Sequence, residues 1–205
     1  MRKSILVVAM LGIAGFANAT TVQYSTTGTF SNPTGTGVAT ITNGGSTIQY
    51  GNGANNVIIS FAGQPNTDVV PPQSSDTFGT FTVTVNGNGN AGNTNGADFD
   101  LHFIQTGPTA GTLDFLGTIS EAFFLNAGSG SLTLSPPFVQ SIGTIQYTLS
   151  NTTVLAGPTS GNTPVPTSLQ GLVNEVITGT PEPGTMTFLG IGFTGLAMLL
   201  RRRTV

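Results

Sequence analysis

The sequence predicts an all-β protein, an antiparallel β-sandwich flanked by an apolar segment at each end. Three observations point there. Apolar and polar residues alternate with period two in several stretches, the pattern of strands with one buried and one solvated face. Glycine supplies 29 of the 205 residues, and Thr, Ser and Asn are also plentiful. Such a composition disfavours helix and suits short strands joined by turns. Between the two apolar ends, no stretch carries a persuasive helical period.

At the front, Arg2 and Lys3 precede the apolar run Ile5 to Ala14, and Gly15-Phe16-Ala17-Asn18-Ala19 follows. A basic start, a short apolar run and an Ala-x-Ala site form the pattern of a secretory signal peptide. Residues 1–19 are therefore expected to be removed, with Ala17 and Ala19 marking the cleavage site.

Residues 20–180 read as the exported sandwich. Phe81, Val83 and Val85 alternate with Thr80, Thr82 and Thr84. Phe99, Leu101 and Phe103 alternate with Asp98, Asp100 and His102. Ile145, Tyr147 and Leu149 alternate with Thr144, Gln146 and Thr148. Further strands are expected over 22–30, 37–42, 46–50, 55–61, 112–125, 131–134 and 168–177, giving about nine or ten short strands between Gly, Asn and Pro turns. Tyr24, Tyr50 and Tyr147 read as core or interface residues.

Residues 181–205 form the closing segment. Pro181 and Pro183 cannot sit inside a helix, so Pro181-Glu182-Pro183 reads as extended chain. Thr185 to Leu200 carries no charge. As a helix over 185–200 it spans about 24 Å, a short membrane crossing. Arg201, Arg202 and Arg203 then act as a membrane stop that stays cytoplasmic. Gly190-Ile191-Gly192-Phe193-Thr194-Gly195 fits a dinucleotide fingerprint by letters alone. It lacks the preceding strand and the later acidic residue, and its small residues suit close contact between membrane helices.

Charge placement excludes whole classes of function. Charged residues make up 6% of the chain, against roughly 25% in ordinary domains. Every Lys and Arg lies at an end: Arg2, Lys3, Arg201, Arg202 and Arg203. The middle carries Asp68, Asp76, Asp98, Asp100, Asp114, Glu121 and Glu175 and no Lys or Arg. Such a domain cannot neutralise phosphates, so no nucleic acid is expected as a partner. The absence of cysteine excludes disulfides, thiolate metal sites and a Cys nucleophile. Thr, Ser and Asn stand on the polar faces where Lys usually guards edge strands. Either O-linked sugars shield those hydroxyls, or the protein associates within an extracellular matrix.

Asp98-x-Asp100-x-His102 is the best candidate for chemistry. On a strand these side chains share one face at about 7 Å spacing. With the Asn/Gly-rich stretch before them, Asn95, Asp98 and Asp100 are candidate ligands for Ca²⁺, although the EF-hand spacing and its closing Glu are missing. The plainer alternative is a loop running into a strand with an acidic outer face. A Ser-His-Asp hydrolase must use His102, the chain's one histidine, and G-x-S-x-G is absent. For a glycosidase pair, Asp114 and Glu121 are carboxyls that could approach each other, but the sequence gives no sign of a cleft. No catalytic residues and, calcium aside, no cofactor are expected.

Pro181-Glu182-Pro183, a short Gly-rich apolar stretch and an arginine cluster resemble a PEP-CTERM sorting signal. That resemblance covers about the last 25 residues. It implies recognition by an exosortase, a membrane-embedded cysteine transpeptidase, with cutting near Pro-Glu-Pro. It also implies release to the surface of a Gram-negative-type bacterium that makes exopolysaccharide. A second resemblance lies in the exported part. Gly28-Thr29-Phe30-Ser31-Asn32-Pro33, Ile48-Gln49-Tyr50-Gly51-Asn52-Gly53, Phe78-Gly79-Thr80-Phe81 and Gly143-Thr144-Ile145-Gln146-Tyr147-Thr148-Leu149 are similar to the ectodomains called choice-of-anchor K. The tryptophan usual in that pattern is replaced here, with Tyr50-Gly51 in its place.

The expected protein is thus a non-enzymatic surface or matrix component, structural or adhesive in exopolysaccharide or biofilm. It is held at the inner membrane before processing. The alternative is a calcium- or glycan-binding surface module.

Overall fold

The computed structural model describes residues 20–35, 38–71, 73–88, 95–124, 127–158, 163–176 and 191–193. The chain divides into one unit over Met1–Glu175 and a second over Val176–Val205. Ala17, Ala19, Pro181, Glu182, Pro183, Arg201, Arg202 and Arg203 lie outside the described residues. So does the expected helix over 185–200 apart from residues 191–193, which are helical. Among the described residues no helix is long and apolar enough to cross a membrane.

Among its described residues the first unit is all-β apart from one 3₁₀ turn at Asn43–Gly45. Its strands are β1 (Val22–Thr34), β2 (Ala39–Thr42), β3 (Thr47–Asn52), β4 (Asn55–Gly63), β5 (Thr67–Val69), β6 (Gln73–Asn86) and β7 (Asn95–Gly107). They continue with β8 (Gly111–Phe124), β9 (Ala127–Leu134), β10 (Val139–Ile142), β11 (Ile145–Leu149), β12 (Thr152–Leu155) and β13 (Val165–Glu175). Two antiparallel sheets result, ordered β12-β9-β8-β7-β1-β5 and β10-β11-β13-β6-β4-β3-β2. The expectation of nine or ten strands is corrected to thirteen among the described residues. The three that periodicity missed, β5, β10 and β12, are all sheet edges of three or four residues. An edge that short shows too little alternation to register as a pattern.

Between the sheets, the inward faces of the long strands are mostly apolar, with Thr26, Asn95, Gln105 and Glu121 as buried polar exceptions. Phe81, Val83 and Val85 of β6, Phe99, Leu101 and Phe103 of β7, and Ile145, Tyr147 and Leu149 of β11 are all buried. Aromatic rings dominate this layer. Phe78 and Phe103 lie 4.9 Å apart edge to face, and Phe103 and Tyr147 are also 4.9 Å apart. Such contacts add to burial energy. Tyr24, Tyr50 and Tyr147 are buried, and each hydroxyl finds a partner. Tyr24 donates to Asp76, Tyr147 to Gln105 Oε1 at 2.6 Å, and Tyr50 to the Gly96 carbonyl at 2.8 Å. Desolvation raises all three phenol pKa values far above the ordinary range.

Phe61 shows how closely the two sheets approach. Its ring lies where a Cβ on Gly28 of β1 would come within 2.4 Å of Cδ1, and where one on Gly79 of β6 would come within 2.2 Å of Cζ. Two strands therefore give up a side chain to admit one ring. The Thr20 hydroxyl, just before β1, donates to Glu175 Oε1 at the end of β13 at 3.1 Å.

Candidate functional site

The titratable face predicted on β7 exists. Phe99, Leu101 and Phe103 point into the core, while Asp98 is exposed and Asp100 and His102 are half-buried. Alternation along the strand produces this split directly. Neighbouring strands complete the face. Thr27 of β1 and Asp114 of β8 stand opposite His102, Thr29 and Leu116 opposite Asp100, and Ser31 and Thr118 opposite Asp98.

Most of these groups are already engaged. Asn32 Nδ2 donates to Asp98 Oδ2 at 2.7 Å. His102 Nδ1 meets Asp114 Oδ1, and Gln140 Nε2 of β10 donates to the Asp114 carbonyl. Asp100 differs, because its Oδ1 is buried without a hydrogen-bond partner. Desolvation, reinforced by the Asp114 charge and only partly offset by His102, raises the Asp100 pKa.

The sign of that shift yields a prediction. At strongly acid pH both states hold the proton and Asp100 contributes nothing. As pH rises through the carboxylate range the unfolded chain releases its proton first, so the native state loses stability. Asp100→Asn is therefore expected to leave the urea midpoint unchanged in strong acid and to raise it at neutral pH. A neutral-pH midpoint that is unchanged or lower contradicts the assignment.

The proposed calcium ligands are divided. Asp98 and Asp100 share the outer face, but Asn95 points inward and is 2% exposed. The structure does not bring Asn95 together with them. Among the described residues, no group of three or more His, Asp or Glu is placed to hold a metal ion. Asp114 and Glu121 do not approach each other either. Both belong to β8, but Asp114 is exposed on the outer face and Glu121 is 1% exposed on the inner one. Seven residues along a strand is an odd number, so the two carboxyls face opposite sides and cannot flank one sugar bond.

Asn95 and Glu121 instead meet each other, as directly opposed residues of β7 and β8. Asn95 Nδ2 donates to Glu121 Oε1 at 2.7 Å, and the Phe123 backbone N–H donates to Oε2 at 2.9 Å. Asn95 Oδ1 is buried and unpartnered. This inward carboxylate was missed although a signal was present: Glu121 falls in phase with Leu113, Phe115, Ile119 and Phe123.

Chemically, the outer face offers one histidine–carboxylate pair, with the Asp98 carboxylate tied to the Asn32 amide and Asp100 Oδ1 left unpartnered beside it. Comparison with protein-family models, curated proteins and solved structures finds no match for this chain.

Proposed function

We propose that the protein is an exported bacterial surface or matrix component, with a structural or adhesive role in exopolysaccharide or biofilm. In this reading residues 1–19 direct export. An exosortase-like transpeptidase then recognises Pro181-Glu182-Pro183, residues 185–200 hold the chain in the inner membrane, and Arg201 to Arg203 keep that segment from passing through. The PEP-CTERM resemblance supplies this sequence of events.

One observation carries the reading: every Lys and Arg lies outside residues 20–180, at the two ends that export and sorting would use. The all-β unit supports it in a second way. Its last strand ends at Glu175, before Pro181, so the proposed cutting site does not fall within the sandwich strands. A protease or transpeptidase needs extended chain, and two prolines in three residues favour that state.

Two variants test the proposal in the host. Pro181→Ala with Pro183→Ala, and Arg201 to Arg203 replaced by Gln, are each expected to retain residues 184–205 on the accumulated protein. Intact mass of the chain is the readout. Normal C-terminal trimming in both variants rejects the assignment.

A further inference from the structure

We propose that Asn52 is a site of spontaneous covalent modification, at which its carboxamide cyclises onto the backbone nitrogen of Gly53 and ends as a carboxylate. The proposal stands apart from the sorting reading and survives its failure.

Asn-Gly occurs at Asn43, Asn52, Asn86, Asn88 and Asn95. Gly89 lies outside the described residues, so four pairs can be compared. The chemistry is the same at each. The Gly nitrogen gives its proton to hydroxide and attacks Asn Cγ. The Cγ–Nδ2 bond breaks, and ammonia leaves with a proton from water. The resulting five-membered imide is opened by water. Hydrolysis at the side-chain carbonyl gives aspartate, and at the main-chain carbonyl isoaspartate. Water is the only co-reactant, and nothing is oxidised or reduced. Glycine favours the step because it has no Cβ to hinder ring closure.

The fold separates the four. Asn52 ends β3 and pairs with Asn55, leaving Gly53 and Ala54 as a two-residue turn. Gly53 has φ +59°, and a Cβ placed there would meet nothing within 4 Å, so its nitrogen lies in an open turn. Asn52 is exposed, and no hydrogen bond holds its side chain among the described residues.

The other three carboxamides are held. Asn43 Nδ2 donates to Thr47 Oγ1 at 3.1 Å, and the Asn43 carbonyl accepts from the Ser46 hydroxyl at 2.9 Å. Asn86 Nδ2 donates to Asn56 Oδ1 at 2.8 Å. Asn95 is 2% exposed and bound to Glu121. A held carboxamide must break free before Cγ can reach the next nitrogen, and the net worth of one hydrogen bond corresponds to about ten-fold in rate. Burial of Asn95 also keeps hydroxide away.

The product matters to the hairpin. Either acid adds a negative charge to a domain without Lys or Arg. Isoaspartate also lengthens the main chain by one methylene beside a two-residue turn, where register depends on loop length.

The test is to age the folded full-length chain in mildly alkaline buffer and follow each Asn-Gly pair by peptide mapping. Asn52 is expected to convert about ten-fold faster than Asn43, Asn86 or Asn95. In urea, where all four share only their dipeptide, the rates are expected to converge. An Asn52→Gln variant, whose longer side chain disfavours the five-membered ring, is expected to lose the early charge change while keeping its fold. Earlier conversion of Asn43, Asn86 or Asn95 in the folded chain overturns the proposal. So does a rate order that persists unchanged in urea.

Discussion

Glu121→Ala is expected to lower the stability of the sandwich by about 3–5 kcal/mol, much of what a domain of this size has to spare. The carboxylate accepts from Asn95 Nδ2 and from the Phe123 N–H, both inside the protein. Truncation leaves both donors without their acceptor, and water cannot reach them while the strands stay closed. It also leaves a cavity between β7 and β8, where Asn95 and Glu121 stand opposite each other. Asn95 already has one buried oxygen without a partner, so its second polar atom cannot easily find another. Glu121→Gln is the informative companion. Its carbonyl replaces one acceptor, while its NH₂ faces the other donor, so about half the loss is expected. Urea unfolding at neutral pH measures both. The midpoint should fall in the order wild type, Gln, Ala with an unchanged slope. An Ala variant as stable as wild type would show that the buried pair contributes nothing.

Gly28→Ala is expected to cost about 3 kcal/mol by overpacking. One methyl is a small change, but the space it needs is already filled. The new carbon would lie 2.4 Å from Phe61 Cδ1 and 2.7 Å from Phe99 Cζ. Phe61 cannot retreat, since its far edge already approaches Gly79, and its ring packs 4.8 Å from that of Phe81. The clash therefore passes to the spacing of the two sheets. Phe61→Leu is itself destabilising through lost ring contacts. In the Gly28→Ala background, however, it should cost much less, because the leucine vacates the contested volume. The coupling in a double-mutant cycle should exceed about 1 kcal/mol. Strict additivity would show that Gly28 and Phe61 do not compete for the same space.

Much of this architecture was legible in the alternation of β6, β7 and β11, where each odd-numbered apolar residue turned inward. A strand gripped on both sides needs an apolar face, and that need is written locally. The edges β5, β10 and β12 were not legible, because ladder pairing on one side creates them and three or four residues record little of it. The candidate site divides in the same way. That Asp98, Asp100 and His102 share a face follows from spacing alone. That Asn32 caps Asp98 and Gln140 reaches the Asp114 carbonyl depends on partners 66 and 26 residues away. Such contacts follow from register, which a single sequence does not display. Glu121 is a different case. Its phase was visible, but the residue type argued for the surface, and phase prevailed because Asn95 and the Phe123 N–H satisfy the carboxylate inside.

The meeting of Thr20 with Glu175 has a mechanical consequence. A pull applied to the chain after Glu175 is transmitted first into β13, which lies between β11 and β6 rather than at a rim. Two ladders resist that force together, so a load entering at Glu175 falls on a strand braced from both sides.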